Sequence, residues 1–427
     1  MNVLILGSGG REHAFADQIS KSKLLNKLFI APGNAGTGLC GTNVNLSLID
    51  FEAIRNCVIS LHINLVIVGP EDPLVNGIVD FFEQDELLKN IPIIGPSKKG
   101  AQLEGSKDFS KQFMMRHSIP TAQYQTFTQN QLKEGIAFLK TLHPPYVLKA
   151  DGLAAGKGVI ISSNINEATQ ELTEMLQNLK FGNASSSVVI EEFLDGIELS
   201  TFVLTNGTDY LILPEAKDYK RIGDGDTGLN TGGMGAVSPV PFADKAFMKK
   251  VEDQIVIPTI KGLKNEQIPY LGFLFIGLMN INGNPFVIEY NCRMGDPETE
   301  VVLPRIKNDL LEVLSKAANG NLNEIILDID TQTAATIMLV SGGYPENYEK
   351  GFEISGLNNL YESTVYHAGT VLENNIVKTN GGRVLAITSL ATNLTQAFNK
   401  SYQTAASIKF LGKYNRGDLG KDLIKYL

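Results

Sequence analysis

The chain of 427 residues carries 37 Lys and Arg against 46 Asp and Glu, a net charge of −9, with 43% apolar and 19% charged residues. At roughly 150 residues per domain this length implies about three domains with ample cores. The charge excludes a chain built mainly to coat nucleic acid or an anionic membrane, because its long-range field has the wrong sign.

In chain order, Val3 to Leu6 is an apolar run ending in Gly7-Ser8-Gly9-Gly10, after which Ala14, Phe15 and Ile19 fall at helical spacing. Two further runs rich in Val and Ile, at 65–68 and 91–94, stop at Gly69-Pro70 and Gly95-Pro96. Strands of this kind alternating with helices predict a parallel sheet whose loops collect ligands at the carboxyl ends of the strands. Ser106 is positioned to cap a helix over 107–117. Strands are expected at 146–150 and 159–162, joined by Asp151 to Gly158, then a helix over 167–179 with Asn166 as its cap, and a strand at 188–193. Strand patterns dominate from Leu199 to Asn291, interrupted by a polar glycine loop (218–235) and a helix over 244–262. A helix over 309–318 ends at Gly320, and short strands with one helix near 395–407 make a third unit from Thr333.

The three cysteines (Cys40, Cys57, Cys292) are scattered and none forms a CxxC pair. No apolar stretch approaches the roughly 20 residues that span a bilayer, and no basic segment precedes the amino-terminal apolar run. A cytoplasmic protein is therefore expected, without disulfides, membrane contact or nucleic-acid partner.

Five segments carry chemistry. The turn at 7–10 presents N–H groups and a helix amino end to an anion, which fits a small phosphorylated ligand; Glu12 stands where a dinucleotide fingerprint needs its third glycine, which disfavours a nicotinamide dehydrogenase. Asp151-Gly-Leu-Ala-Ala-Gly-Lys-Gly158 is not a Walker A loop, since Gly152 and Gly156 enclose three residues and Lys157 is followed by Gly158; running from strand to strand, it fits a mobile lid over a triphosphate, with Lys149 as a fixed charge beside it. Glu191-Glu192-Phe193-Leu194 ends a strand, where backbone groups can read a purine edge and Glu198 can accept from ribose hydroxyls.

In Glu289-Tyr-Asn291-Cys-Arg293-Met-Gly-Asp296 the first, third and fifth residues would share one face of a strand, offering a carboxylate and an amide oxygen to Mg²⁺ and a guanidinium to a transferring phosphoryl group. Cys292 then faces the core. The loop containing Asp218, Lys220 and six glycines cannot bury itself, so it is expected to be disordered or ordered by a ligand such as a zwitterion or an acyl phosphate. The five histidines show no metal-ligand spacing.

These segments in this order resemble the ATP-grasp ligases, and within them the glycinamide ribonucleotide synthetase family. The resemblance covers nearly the whole chain and rests on GSGGREHA (7–14), APGNAGT (31–37), GPEDPL (69–74), AQLEGSK (101–107), KADGLAAGKGV (149–159), EEFLDGIE (191–198), DTGLNTGGMGA (226–236), EYNCRMGDPETE (289–300), HAGT (367–370) and TNGGRVL (379–385). It implies an α/β and α+β multidomain fold: an N-terminal parallel-sheet domain over 1–103, a central ATP-grasp domain over 104–325 with a lid subdomain at about 120–195, and a small C-terminal β-rich domain over 326–427. It implies ATP and Mg²⁺ (or Mn²⁺), small-molecule partners glycine and 5-phosphoribosylamine, a monomer or weak homo-oligomer, and synthesis of glycinamide ribonucleotide with release of ADP and phosphate.

By the same resemblance Lys107, Lys149, Gly152, Gly156, Lys157 and Gly158 hold the ATP phosphates, Glu191, Glu192, Phe193 and Leu194 the adenine, Glu198 the ribose, and Glu289 and Asn291 the metal. Gly9, Gly10 and Arg11 are candidates for the sugar phosphate. Arg293, Asp296, Lys220 and Asp218 are candidates for the catalytic set, with Asp218 and Asp296 facing substrate amines. The chain departs from the family pattern at Met294 and Glu300, where relatives often have Phe and Gln, and at Lys217 and Tyr219, where Gln and His are common. The segment 271–279 lacks the acidic residue that often supplies a second metal ligand. Another ATP-grasp carboxylate–amine ligase or a carboxylase, such as a biotin carboxylase, is the alternative, which should not carry GSGGREHA.

Overall fold

A computed structural model describes residues 1–154, 158–358 and 360–427. Strands β1 (Asn2–Gly7), β2 (Lys27–Pro32), β3 (Thr42–Asn43), β4 (Leu65–Val68) and β5 (Ile93–Pro96) form a parallel sheet in the order β5-β4-β1-β2-β3. Their near-continuous apolar sequences follow from burial on both faces, with Val3 to Leu6 and Leu65 to Ile67 fully buried. The Gly10–Ser20 helix follows β1 and Glu71–Asn76 follows β4, so the glycine turns lie together at the carboxyl edge of the sheet.

Strands β6 (Tyr124–Thr128), β7 (Tyr146–Ala150), β8 (Val159–Ser162) and β9 (Ser187–Glu192) make a separate antiparallel sheet, ordered β6-β9-β7-β8. It has its own core, in which Phe127, Leu148 and Ile190 pack on Leu172 and Met175 of the Ile165–Asn178 helix. That helix begins earlier than its sequence pattern suggests. Its cap is Asn164 rather than Asn166: the Asn164 side chain accepts from the N–H groups of Asn166 and Glu167 at 2.8 and 3.4 Å.

Strands β10 (Ile197–Thr205), β11 (Tyr210–Asp218), β12 (Arg221–Gly223), β13 (Thr227–Asn230), β14 (Gly235–Ser238), β15 (Tyr270–Ile281) and β16 (Asn284–Asn291) follow. The carboxyl-terminal unit contains β17 (Thr333–Val340), β18 (Ser363–His367), β19 (Thr370–Glu373), β20 (Ile376–Thr379), β21 (Arg383–Ala391) and the Leu394–Ser407 helix.

One 13-stranded sheet runs through all three parts, ordered β18-β21-β17-β14-β11-β10-β15-β5-β4-β1-β2-β3, with β16 paired to β15. The joins are antiparallel: β5 meets β15 where Gly95 faces Leu271 and Pro96 faces Tyr270, and β14 meets β17 over four residue pairs. Val3 and Ile5 of the first strand consequently share a core with Met338, Val340 and Ala386.

Candidate active site

The site lies where β16 ends. Val287, Tyr290 and Cys292 are buried, and the Tyr290 and Thr259 hydroxyls are hydrogen-bonded at 2.7 Å, which fixes that face of the strand in the core. Glu289 and Asn291, two residues apart, share the opposite face, and Gly277 of β15 stands across from Glu289. Among the described residues neither side chain has a hydrogen bond or ion pair. Burial alone would raise the Glu289 pKa, but Lys220, Lys149, Lys107 and Arg293 together hold it below the usual carboxylate range. An ionised carboxylate and an amide oxygen, both free, are hard donors suited to a divalent cation shared with phosphate oxygens.

Arg293 departs from the row. The strand stops at Asn291, and the Arg293 guanidinium is held by Glu104 at 2.8 Å and Glu71 at 3.3 Å. Cys292 is a core residue as expected: its N–H and thiol donate to Glu104 at 2.8 and 3.1 Å, and burial with that carboxylate pushes its pKa well up. Such a thiol is no nucleophile.

Beside Glu289 stands a buried cation cluster. Lys149 and Lys111 both reach Glu191 Oε2, at 2.9 and 3.1 Å, with side chains only 2–7% exposed. Burial opposes ionisation of Glu191, but the two lysines outweigh it and lower its pKa; burial lowers Lys111 to about 8 and also lowers Lys107. The Glu191 carboxylate, expected near the adenine, is thus committed to lysines on one oxygen. Glu192 is tied to the Gln123 N–H at 2.8 Å, whereas Phe193 is exposed.

Lys111 carries no local signal in the sequence beyond its place one helical turn after Lys107 on the Lys107–Arg116 helix, and it joins the cluster only through the fold. Ser106 caps that helix as expected, accepting from Phe109 N–H at 3.1 Å and donating to Asp151 at 3.0 Å. The Asp151 carboxylate also accepts from Asp108 N–H at 2.8 Å, fastening the start of the glycine loop to the helix. Gly152 donates to Ala184 O at 3.2 Å, and a Cβ on Gly158 would crowd Ala154 and Ala150. Gly156 and Lys157 lie outside the described residues.

A third group is acidic. Asp218 ends β11, and burial, helped by Glu198, raises its pKa against Lys220 and Lys217. Glu298 joins it, a residue that the acidic run contains but that nothing in the sequence singles out; it is buried, and burial together with Asp218 pushes it up to about 8. Lys220 pairs with Glu198 at 3.1 Å; burial disfavours its charge, but Glu198, Asp218 and Glu289 raise its pKa well above the usual value. Lys220 therefore links the ribose candidate, the acidic pair and the metal row.

Asp296 pairs with Arg383 at 3.1 Å, and Arg383 also donates to Asp296 O at 2.7 Å and to Gly232 O. Only the fold could reveal Arg383 at this place, since it arrives from β21. At the amino-terminal turn Glu12 accepts from the Gly9 N–H and, at 2.7 Å, from Arg11 Nε, while Arg11 donates to Met294 O at 3.0 Å. A Cβ on Gly9 would sit 3.1 Å from Asp296 Oδ2, so the turn and the acidic run line one place.

Family models cover the chain in three consecutive matches, described as phosphoribosylglycinamide synthetase N domain over residues 1–104, ATP-grasp (A) domain over 105–299 and C domain over 334–422. The chain belongs to the phosphoribosylglycinamide synthetase family. Relatives in this family include the phosphoribosylamine–glycine ligases of Haemophilus influenzae and Yersinia pestis, each 45% identical with 98% of both chains covered. The crystal structure of phosphoribosylamine–glycine ligase from Thermotoga maritima superposes with a TM-score of 0.85 at 35% identity, covering 97% of this chain and 99% of that one. The biotin carboxylase domain of a Hydrogenobacter thermophilus 2-oxoglutarate carboxylase shares the fold, with a TM-score of 0.72 at 16% identity. No helix among the described residues of this family member is long and apolar enough to cross a membrane.

Proposed function

We propose that the chain joins glycine to 5-phospho-D-ribosylamine using ATP, forming glycinamide ribonucleotide, ADP and phosphate in cytoplasmic purine nucleotide synthesis. The observation that carries this reading is the convergence of Lys107, Lys149 and Lys220 on the Glu289 carboxylate, which with Asn291 is left free among the described residues of a chain with this family's three domains. A glycine carboxylate is a poor acyl donor, because amine attack would have to expel oxide. Its oxygen instead attacks the γ-phosphorus, the bond to ADP breaks, and glycyl phosphate results.

In that step Lys107 and Lys149 balance phosphate charge, Lys157 supplies a further positive charge, and backbone groups of residues 191–194 hold the adenine. Glu198 serves the ribose while keeping Lys220. Glu289 and Asn291 would hold Mg²⁺ or Mn²⁺, which when bound neutralises phosphate oxygens. Arg293, immobilised by Glu71 and Glu104, adds fixed positive charge.

The sugar amine, set against Gly9, Gly10, Arg11 and Asp296, then attacks the glycyl carbonyl. The carbon–oxygen bond to phosphate breaks, so phosphate departs with one former glycine oxygen. The nitrogen sheds a proton, and Asp218 and Glu298, two carboxyl groups whose proton affinity burial raises, are the candidate acceptors in whichever of them is ionised. Phosphate release measured with ATP and Mg²⁺, with glycine and with phosphoribosylamine generated from ribose 5-phosphate and ammonia, and with each omitted in turn, tests the reading. Turnover should need every component; turnover with bicarbonate in place of glycine would overturn it.

A further inference from the structure

The 218–235 loop, polar and glycine-rich enough to suggest disorder or ordering by a ligand, is held by the protein itself. Arg416, 1% exposed, donates to Asp226 at 2.7 Å and to Arg221 O at 3.1 Å, and pairs with Asp418 through Nε at 2.8 Å and Nη2 at 2.7 Å. Asp418 in turn accepts from Gly225 N–H at 2.7 Å, and Gly417 N–H donates to Asp224 at 2.9 Å. The β12–β13 hairpin is thereby pinned to the carboxyl-terminal segment.

A second set of contacts grips the residue between the two site side chains. Tyr219 is 3% exposed; its hydroxyl donates to Asp422 at 2.7 Å and accepts from Gly420 N–H at 3.0 Å. Lys217 lies 3.8 Å from the centre of the Tyr219 ring and pairs with Asp422 at 3.3 Å. Tyr219 N–H donates to Gly235 O and Met234 N–H to Tyr219 O, which fixes its backbone. With Tyr219 anchored inward, the backbone that carries Asp218 and Lys220 on either side is held in place.

We infer that the 414–422 segment positions Asp218 and Lys220 for substrate, with Tyr219, Asp422 and Arg416 as positioning residues that act through the loop. The inference rests on the proposed role of Asp218 and Lys220. Lys217 and Tyr219 both contact Asp422, so one carboxylate of the segment ties down the residues on which the loop starts. A purely structural role would lower stability without sorting one substrate from another.

The test uses the full chain carrying Tyr219→Phe, Asp422→Asn, or both, with Arg416→Lys as a harsher variant. Losing the hydroxyl–carboxylate bond should raise KM for glycine about fivefold, raise KM for ATP by clearly less because Lys220 also keeps Glu198, and leave the thermal midpoint near wild type. The double variant should cost less than the sum of the two single ones, because both remove the hydroxyl–carboxylate bond, while only Tyr219→Phe frees the Gly420 N–H and only Asp422→Asn loosens Lys217. Trypsin should cleave after Lys220 and Arg221 faster in each variant. Unchanged glycine KM in both single variants, equal changes for glycine and ATP, or undiminished protection from trypsin would overturn the inference. If Arg416→Lys fails to fold, Tyr219→Phe, which removes one oxygen, decides. Wild-type protein without glycine-dependent turnover would instead sink the functional reading, and the trypsin comparison would still show whether the segment holds the loop.

Discussion

Glu300 is fully buried, and neither carboxylate oxygen has a hydrogen-bond partner among the described residues. Burial first, and Asp296 second, raise its pKa well above the usual carboxylate range. The native state therefore keeps a proton that the unfolded chain releases, so stability falls as pH rises above the ordinary carboxyl range toward the native pKa. Glu300→Gln should remove that slope and raise the melting temperature at about pH 8 more than at about pH 5, as measured by scanning calorimetry. An equal change at both values would refute the assignment.

Glu289→Gln should cut turnover by about a hundredfold or more while near-ultraviolet circular dichroism stays native, because it removes an ionised donor facing the phosphates. Near-normal turnover would remove Glu289 from the site. Glu289, Asn291 and Lys149 were legible in sequence because a strand's alternation and a flanking glycine loop are local signals. Lys111, Glu298 and Arg383 were not, since their significance comes from burial and from partners on other elements.

At the scale of elements, local signals again decide what the sequence reveals. Ser106 was legible as a cap because it directly precedes the first helical residue, whereas Asn164 and Asn166 compete as two asparagines at one helix start, and only backbone geometry separates them. Ser106→Ala should lower stability by about 1 kcal/mol, the usual worth of a cap, in urea denaturation. It should also raise KM for ATP, since Ser106 and Asp151 together tether the glycine loop; a stability loss without any change in ATP dependence would separate the cap from the nucleotide site. The 218–235 loop was legible as polar and unable to bury itself. That Arg416 orders it was not, because the partner lies far along the chain.

The three-part layout was legible from the change in texture along the sequence, but the joining of the parts into one sheet was not. Pairings such as Tyr270 with Pro96 and Val237 with Ala335 link residues whose local patterns carry no trace of each other. The shared core of Val3, Ile5, Met338 and Val340 should make the first and last units unfold together, while the β6–β9 sheet, with a core of its own, opens independently. Hydrogen exchange should find amides of β7 and β9 exchanging sooner than those of β10 and β15. Equal protection across both sheets would contradict this division.

The proposed chemistry predicts where one oxygen atom goes. With glycine labelled with ¹⁸O at both carboxyl oxygens, the released inorganic phosphate should contain a single labelled oxygen per turnover and the amide product the other. Phosphate free of label, with amide still formed, would contradict an acyl phosphate and with it the assignment of this site.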